Sequence, residues 1–196
     1  GDGKIVKAEG KEVMARTTLK LDKEKTAEVV QNLLVSHPKL WDLDFPYRYT
    51  VETIIKKGGK TIDKYLTPFG IRSVKFDKDK GFFLNNKHLK LKGMCLHQDA
   101  GCLGTAVPDR AYERRLLILK EFGTNAIRCS HNPPSPEFLN YCDSIGFLVI
   151  DEAFDKWKSG YYEEFFDSSW QQDISDMVIR DRNHPSVIMW ETTLNE

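Results

Sequence analysis

Strand and helix signals alternate along the second half of this sequence, and that alternation limits the folds open to it. Four short apolar runs, each the length of a buried parallel strand, are separated by segments with helical signals. The runs lie at residues 91–96, 126–129, 147–150 and 187–190. Four such repeats in about 110 residues amount to half of a (β/α)8 barrel of roughly 250 residues. We favour this half barrel over a doubly wound sheet, because no glycine-rich phosphate loop follows the first strand.

Local signals place three helices between these strands. The first covers residues 109–122, where apolar residues recur at helical spacing. In the second, Ser135 is the N-cap and Gly146 ends the helix. The third is predicted to begin at a capping box over residues 168–171. Its inner face would then consist of Trp170, Ile174, Met177 and Val178.

The first part of the chain has the two-residue alternation of β-strands instead. Strand patterns cover residues 12–19 and 29–34, and a hairpin joins residues 47–55 to residues 61–66. Several short strands at this spacing are typical of a β-sandwich. The pattern therefore predicts an all-β unit ahead of the half barrel.

The sequence pattern changes from two-residue alternation to strand–helix alternation, and this change predicts a domain boundary near residue 76. Residues 75–80 mix charges of both signs and are interpreted as a solvated linker, and residues 85–87 are predicted to form a hairpin turn. We assign residues 1–76 to the β-sandwich, which we expect to lack a strand or two at its start. Residues 77–196 are assigned to the half barrel.

The charge balance and the cysteines exclude several classes of function. Lys plus Arg and Asp plus Glu number 29 each, so neither nucleic acid nor an anionic membrane surface is predicted as a partner. No apolar run is long enough to span a bilayer, and the first ten residues lack the features of a signal peptide. The four cysteines have no CxxC spacing, which argues against a zinc site. The cellular compartment stays open.

Polar or ionisable residues follow all four predicted strands of the half barrel. The carboxyl ends of parallel strands meet at one rim, which is the catalytic face of a barrel. We therefore predict a shared site there for a sugar or a metal. The residues concerned are His97 from the first strand, Arg128 and His131 from the second, Asp151 and Glu152 from the third, and Glu191, Asn195 and Glu196 from the end of the fourth and after it.

Several segments of this chain resemble glycoside hydrolase family 2. The run Arg-Asp-Arg-Asn-His-Pro-Ser-Val at residues 180–187, with Trp190 and the final Asn195-Glu196, resembles the barrel signature of that family. Other segments resemble its strand motifs and the passage from its sandwich into its barrel. They are residues 40–41, 46–47, 69–72, 81–82, 84–85, 125–131 and 151–153. The resemblance spans most of the chain, and its motifs occur in the family's order.

The resemblance implies a fold, a reaction and roles for the predicted site residues. The fold is an immunoglobulin-like β-sandwich followed by a TIM barrel, and the reaction is retaining hydrolysis with two carboxylates. By match, Glu196 would be the general acid/base, and Asn195 would hydrogen-bond the hydroxyl at C2 of the sugar. The residues expected to contact the substrate or to support the site are His97, Arg128, His131, Asp151 and Glu152.

The family's nucleophile is a glutamate on a late barrel strand, which would lie beyond residue 196. We therefore interpret this chain as a fragment of a larger hydrolase, and we expect the isolated chain to be inactive. A half barrel also leaves strand edges and apolar surface uncovered, which favours self-association.

The sequence departs from the family's pattern at two places near the site. The best-known β-galactosidases follow the third-strand motif with a Glu-x-His that helps to hold magnesium. Residues 154–160 contain no such pair, so no cofactor is predicted, and neither magnesium nor sodium is expected. Leu194 stands where the family usually has a glycine beside the acid, and its bulk would alter the sugar pocket.

Hydrolysis of terminal β-galactosides is the favoured function, with a carbohydrate as the substrate. β-Glucuronidase or β-mannosidase activity stays open, because the choice among these sugars rests on loops beyond residue 196. A metal-dependent barrel enzyme is a second alternative, and a non-catalytic carbohydrate-binding module based on the sandwich is a third. The metal ligands of that second alternative would be His97, Asp151, Glu152 and Glu196.

Overall fold

A computed structural model describes residues 4–7 and 13–192, and for residues 4–7 it describes the backbone alone. The chain divides into two compact units, Gly1–Pro38 and Lys39–Glu196. In the part of the chain that the structure describes, no helix is long and apolar enough to cross a membrane.

Among its described residues, the first unit contains one antiparallel strand pair. Strands β1 (Lys4–Lys7) and β2 (Val13–Arg16) pair with Ile5 opposite Ala15. The strand predicted over residues 29–34 is wrong, because this segment is neither strand nor helix. Its alternating residues lack a partner strand in the described chain, and Val30 and Leu34 are 76% and 72% exposed. A strand needs a paired edge or a buried face, and this segment has neither.

The second unit begins with two hairpins. Strands β3 (Tyr49–Lys57) and β4 (Lys60–Phe69) confirm the predicted pairing. Their two-residue turn, Gly58-Gly59, has φ values of 56° and 82°, which the right-handed twist of a hairpin requires and glycine adopts at no steric cost. The second hairpin confirms the turn predicted at residues 85–87. It belongs to a three-stranded antiparallel sheet of β5 (Val74–Asp77), β6 (Gly81–Leu84) and β7 (Lys87–His88).

A four-stranded parallel sheet follows, and its strands confirm the four predicted runs. They are β8 (Gly93–His97), β9 (Ala126–Ser130), β10 (Leu148–Glu152) and β11 (Val187–Glu191). Their spatial order is the order along the chain, without the reversal that marks a doubly wound sheet. This is the order of consecutive strands in a (β/α)8 barrel. Strands β8 and β11 are the edges of the sheet in the described residues, and self-association through such edges stays a prediction.

Three α-helices connect these strands, namely α1 (Asp109–Glu121), α2 (Pro136–Ile145) and α3 (Glu163–Asp181). Short 3-10 turns occupy Gly101–Leu103 and Gly160–Tyr162. The caps predicted for α2 are confirmed. The Ser135 hydroxyl accepts a hydrogen bond from the Phe138 amide at 3.2 Å. Gly146 ends α2 in the left-handed conformation, and a side chain there would meet the carbonyl oxygen of Leu43.

The start predicted for the third helix is wrong. Helix α3 begins at Glu163, five residues before the expected capping box, and Ser168 lies within the helix. The Ser168 hydroxyl donates to the Phe165 carbonyl at 3.0 Å instead of capping an amide. Two acidic residues in the first turn and the buried Phe166 stabilise the earlier start. Trp170 is exposed, whereas Met177 is buried as predicted, with Ile174 and Val178 packed nearby.

The two faces of the parallel sheet bury different clusters. Alternate residues of β9, β10 and β11, such as Ile127, Val149 and Val187, pack against α1 and α2. The residues between them pack against Trp41 and the β5–β6 hairpin, and they are Ala126, Leu148 and Ile188. A parallel strand buried on both faces must alternate in this way. The alternation directs Arg128 and Glu152 to the face opposite the helices.

The carboxylate of Asp143, near the end of α2, organises the segment that leads into β11. It accepts a hydrogen bond from the Ser186 amide at 3.1 Å and contacts Nδ1 of His184 at 2.7 Å. The Asp143 main-chain carbonyl accepts a hydrogen bond from the indole of the fully buried Trp41 at 2.8 Å. These contacts support the interpretation that the residues preceding β11 stabilise the barrel.

We predict that Asp143→Ala will lower the free energy of unfolding by about 3 kcal/mol, because the half-buried His184 ring and the buried Ser186 amide lose their partner. Urea denaturation followed by circular dichroism measures the change. The control is Ser144→Ala at the next position of α2, where the exposed hydroxyl contacts only the Tyr141 carbonyl. Its expected effect is within about 0.5 kcal/mol. Equal effects of the two substitutions would contradict the prediction.

Candidate active site

Arg128 and Glu152 form a buried ion pair at the carboxyl end of the parallel sheet. They lie on the neighbouring strands β9 and β10, where Arg128 is opposite Ile150 and Glu152 is two residues further on. The Nε atom of Arg128 pairs with one oxygen of Glu152, and its Nη2 atom donates to the other at 3.3 Å. The Glu152 side chain is 2% exposed, so a cationic partner offsets part of the cost of its burial.

Glu191 joins this pair from the end of β11. Its carboxylate lies 3.6 Å from Nε of Arg128, and Glu152 and Glu191 are opposite each other in the pairing of β10 with β11. Cys95 on β8 lies opposite Arg128 in the pairing of β8 with β9, and its thiol helps to raise the pKa of Arg128. Sequence analysis placed Glu191 at the rim but predicted no contact with Arg128, and it gave Cys95 no role. The register of four adjacent strands was the signal that could have found both, because it aligns their inward positions.

Two histidines extend the cluster. Nδ1 of His131, the residue after β9, lies 3.2 Å from the second oxygen of Glu152. The rings of His131 and His97 meet edge to face, with centroids 5.2 Å apart. Four strand ends therefore contribute to one cluster. We call Arg128, His131, Glu152, Glu191 and His97 the rim cluster.

Burial and mutual charge set the ionisation of the rim cluster. Burial raises the pKa of Glu152, and the nearby charge of Glu191 adds to the rise, while Arg128 and His131 act in the opposite direction. Burial acts to lower the pKa of Arg128, but the Cys95 thiol and the two carboxylates raise it overall. The guanidinium therefore stays charged and fixes both carboxylates in position.

Asp151 does not join the rim cluster, because it faces the helix layer. It is fully buried, and its carboxyl group faces that of Asp181 on α3. Asp181 in turn accepts two hydrogen bonds from Arg180, each of 2.7 Å. Its substrate-contacting role stays a prediction, and this geometry does not support it.

Asp151 is held in its neutral form by this environment. Burial raises the pKa of Asp151 to about 8, and the hydrogen bond and charge of Asp181 add to the rise. The charge of Arg180 lowers it and that of Glu152 raises it. Arg180 pairs with Asp181, so a neutral Asp151 avoids a second negative charge beside that ion pair.

Asn195 and Glu196, the predicted sugar-binding and acid/base residues, lie outside the described residues. The strand that precedes them is described, and β11 ends at Glu191. Their roles stay predictions.

The rim cluster does not fit a divalent metal ion. Among residues 13–192, no group of three or more His, Cys, Asp or Glu side chains is arranged to hold one. Both oxygens of Glu152 contact Arg128 or His131, and a guanidinium beside them would repel a metal cation. Asp151 is turned toward α3, which removes a ligand from the metal-dependent alternative.

Comparison with known sequence families agrees with this geometry. The family described as glycosyl hydrolases family 2, TIM barrel domain, matches residues 74–196. The family described as glycosyl hydrolases family 2 matches residues 2–72. A parallel sheet in barrel order with polar residues at its carboxyl end is the architecture of a barrel hydrolase. The chain belongs to glycoside hydrolase family 2.

Individual relatives share much of this chain but are far longer. Beta-galactosidase BoGH2A of Bacteroides ovatus is 50% identical over 189 residues, which cover 93% of this chain and 22% of that protein. A beta-glucuronidase of Bacteroides fragilis is 30% identical over 195 residues, covering 95% and 28%. The crystal structure of a family 2 member from Bacteroides cellulosilyticus is 46% identical with a TM-score of 0.83, covering 92% and 23%. The chain thus spans less than a third of each of these proteins.

We predict that Asp151→Asn will flatten the dependence of stability on pH. The folded state keeps a proton on Asp151 that the unfolded chain releases near pH ~4, so wild-type stability falls as pH rises from about 4 to about 8. An asparagine amide cannot ionise and still donates to Asp181. The variant should therefore gain stability over wild type as pH rises, measured by urea midpoints at about pH 5 and about pH 8.5.

The matched control is Asp155→Asn, the same chemical change at an exposed position in the next loop. It should leave the pH dependence unchanged. The groups facing Asp151 are Asp181 and Arg180 of α3, Glu152 of β10 and the Cys129 thiol of β9. All four are retained in both variants. Identical slopes for wild type and Asp151→Asn would mean that Asp151 is ionised in the fold.

Proposed function

We propose that this chain is part of a retaining exo-acting β-glycosidase that hydrolyses terminal β-galactosides. The main support is the rim cluster, in which a charged arginine, two histidines and two carboxylates meet at the carboxyl end of a barrel-type sheet. Such a set offers both donors and acceptors to sugar hydroxyls. The family membership and the 50% identity to a protein named as a beta-galactosidase add to this support.

In this proposal, Glu196 is the general acid/base. It protonates the glycosidic oxygen while a carboxylate from another part of the protein attacks the anomeric carbon and displaces the leaving group. Glu196 then removes a proton from water, which releases the sugar from its covalent bond to the enzyme. Asn195 hydrogen-bonds the hydroxyl at C2. These are the roles that the sequence resemblance assigns.

The described carboxylates are poorly suited to the acid/base role. Both oxygens of Glu152 are engaged by Arg128 or His131, and Glu191 lies against the same guanidinium. Burial raises the pKa of Glu152, but the contacts with Arg128 and His131 act against that rise and hold the carboxylate in a fixed position. We therefore give Glu152 and Glu191 the task of positioning Arg128 and the substrate, and leave proton transfer to Glu196.

The domain assignment is part of the same proposal. Residues 1–76 would belong to an immunoglobulin-like sandwich and residues 77–196 to the first half of a TIM barrel. The two family matches, over residues 2–72 and 74–196, support a boundary near that position. The β3–β4 hairpin lies within the first part and the sequential parallel sheet within the second, whereas β5 and β6 pair across the proposed boundary.

We predict that Glu196→Gln in the complete enzyme will lower kcat for a chromogenic β-galactoside by roughly 10²- to 10⁴-fold, because glutamine cannot transfer a proton. The isolated 196-residue chain should give no turnover. Circular dichroism of each protein checks that it is folded. Turnover by the isolated chain that Glu196→Gln abolishes would mean that a second reacting carboxylate is already present, and the proposal would fail on that point.

A β-glucuronidase is the second candidate, since a relative bears that name. A glucuronide carries a carboxylate, which needs a cation at the site. The only arginine of the rim cluster faces two carboxylates, Glu152 and Glu191, so these three groups sum to one negative formal charge. That balance repels a uronate and accepts a neutral sugar. The charge of the cluster therefore favours the galactoside.

This charge argument predicts a shift in selectivity. In the complete enzyme, Glu191→Gln should raise kcat/KM for a β-glucuronide relative to a β-galactoside by roughly tenfold, because one like charge is removed. Hydrolysis of the matched pair of chromogenic substrates measures the ratio. Glu164→Gln on the exposed side of α3 is the control and should leave the ratio unchanged. A fixed ratio in Glu191→Gln would exclude Glu191 as the source of discrimination.

A further inference from the structure

A short, stiff loop carries His131 of the rim cluster. It joins β9 to α2, and prolines occupy two successive positions, 133 and 134. A proline fixes its own φ angle and restricts the backbone of the residue before it, so Asn132, Pro133 and Pro134 have little conformational freedom. At the far end, the Ser135 hydroxyl caps α2. A shift in the middle of this loop is therefore transmitted along it to His131.

The two prolines of this loop are each held by a side chain from another element. Proline has no amide hydrogen, so the carbonyl is its only main-chain hydrogen-bonding group. The Pro133 carbonyl accepts a hydrogen bond from Nε2 of Gln98, a residue that directly follows β8. The Pro134 carbonyl accepts one from Nη2 of Arg180 in α3 at 2.7 Å. Two neighbouring segments therefore fix the loop at consecutive residues.

The Gln98 hydrogen bond ties together the two strand ends that carry the histidines. Gln98 directly follows His97, and Pro133 lies two residues after His131. The backbone pairing of β8 with β9 ends at His97, so this side-chain bond continues the link between the two segments beyond the paired residues. The rings of His97 and His131 meet with their centroids 5.2 Å apart. The hydrogen bond and the ring contact thus join the same two segments.

The two side chains that hold the loop differ in what else they contact. Among the residues that the structure describes, the Gln98 side chain hydrogen-bonds only the Pro133 carbonyl. Arg180 also pairs with the buried carboxylate of Asp181, so its replacement would disturb the support behind β10. Gln98 is half-buried and is not a member of the rim cluster. Its replacement therefore tests the hold on the loop without removing a group from the site.

We propose that Gln98 is a positioning residue for the rim cluster. Its side-chain amide holds the Pro133 carbonyl and thereby keeps His131 in contact with Glu152. The same hydrogen bond keeps the two histidine rings together. The consequence for substrate binding rests on the proposed function, in which the rim cluster contacts the sugar, whereas the consequence for the geometry of the cluster does not.

The first test is a crystal structure of the complete enzyme with the substitution Gln98→Met. Methionine is close to glutamine in length and volume but cannot donate a hydrogen bond. We expect residues 131–134 to move relative to wild type and the contact between the rings of His97 and His131 to be lost. Gln98→Lys is the rescue variant, because its ammonium group supplies a donor at similar reach. It should restore the ring contact.

The second test is hydrolysis of a chromogenic β-galactoside by the same proteins. Gln98→Met should raise KM roughly three- to tenfold, the range of one lost hydrogen bond, and leave kcat within about twofold. Gln98→Lys should return KM to near its wild-type value. The split between KM and kcat distinguishes a misplaced binding group from general destabilisation, which lowers the amount of active enzyme and with it the apparent kcat. Gln171→Met is the matched control, the same change at an exposed position of α3, and should alter neither constant.

Each outcome of these tests has a separate meaning. An unchanged ring contact in Gln98→Met would overturn the positioning role, whatever the kinetic constants. A lost contact that Gln98→Lys does not restore would overturn the role of the hydrogen bond. Separated rings with an unchanged KM would support the positioning role and count against the proposed contact of the rim cluster with the sugar. The proposed catalysis is decided separately by Glu196→Gln.

Discussion

The burial of Glu152 is the constraint around which the site is arranged. A carboxylate that is almost fully removed from water at the end of a central strand needs a cation and hydrogen-bond donors. Arg128 on the neighbouring strand provides the cation, and His131 provides a further contact. Because one guanidinium also faces Glu191, the positions of three strand ends become coupled. The parallel register brings these groups together before any substrate is bound.

Two adjacent carboxyl groups show how strand alternation separates functions. Glu152 points to the face opposite the helices and stays beside Arg128, whereas Asp151 points into the helix layer and is protonated against Asp181. The same strand thus contributes one group to the site and one to the support behind it. A change in backbone register by one residue would exchange the two environments.

Period and capping signals were enough to predict most of the second unit. The four apolar runs are strands and α2 has its predicted caps, because these features depend on neighbouring residues alone. The strand predicted at residues 29–34 was wrong because an alternating sequence pattern does not by itself supply a partner strand. The start predicted for α3 was wrong because the burial of Phe166 by the β10–α3 loop stabilises an earlier start of the helix. This stabilisation exceeds the preference of Ser168 for an N-cap position.

The site was predictable to the level of strand ends, and no further. Arg128, His131 and Glu152 were found because polar residues at the ends of parallel strands converge. The orientation of Asp151 and the contact of Glu191 with Arg128 depend on which face each residue takes, and that follows only from register. The spacing of residues in the sequence therefore predicts the candidate site residues, whereas the packing of the strands determines which of their side chains are in contact.

The loop after β10 lacks a predicted metal-binding pair and is held in place by aromatic packing. Residues 154–160 lack the Glu-x-His pair that the best-known β-galactosidases have there, and in its place the loop provides Phe154 and Trp157, which pack against α3 through Phe166. This packing anchors the loop through its apolar side chains. Asp155, Lys156 and Tyr161 of the same loop are exposed. The course of the loop is therefore set by aromatic packing against α3, to which a metal-binding pair need not contribute.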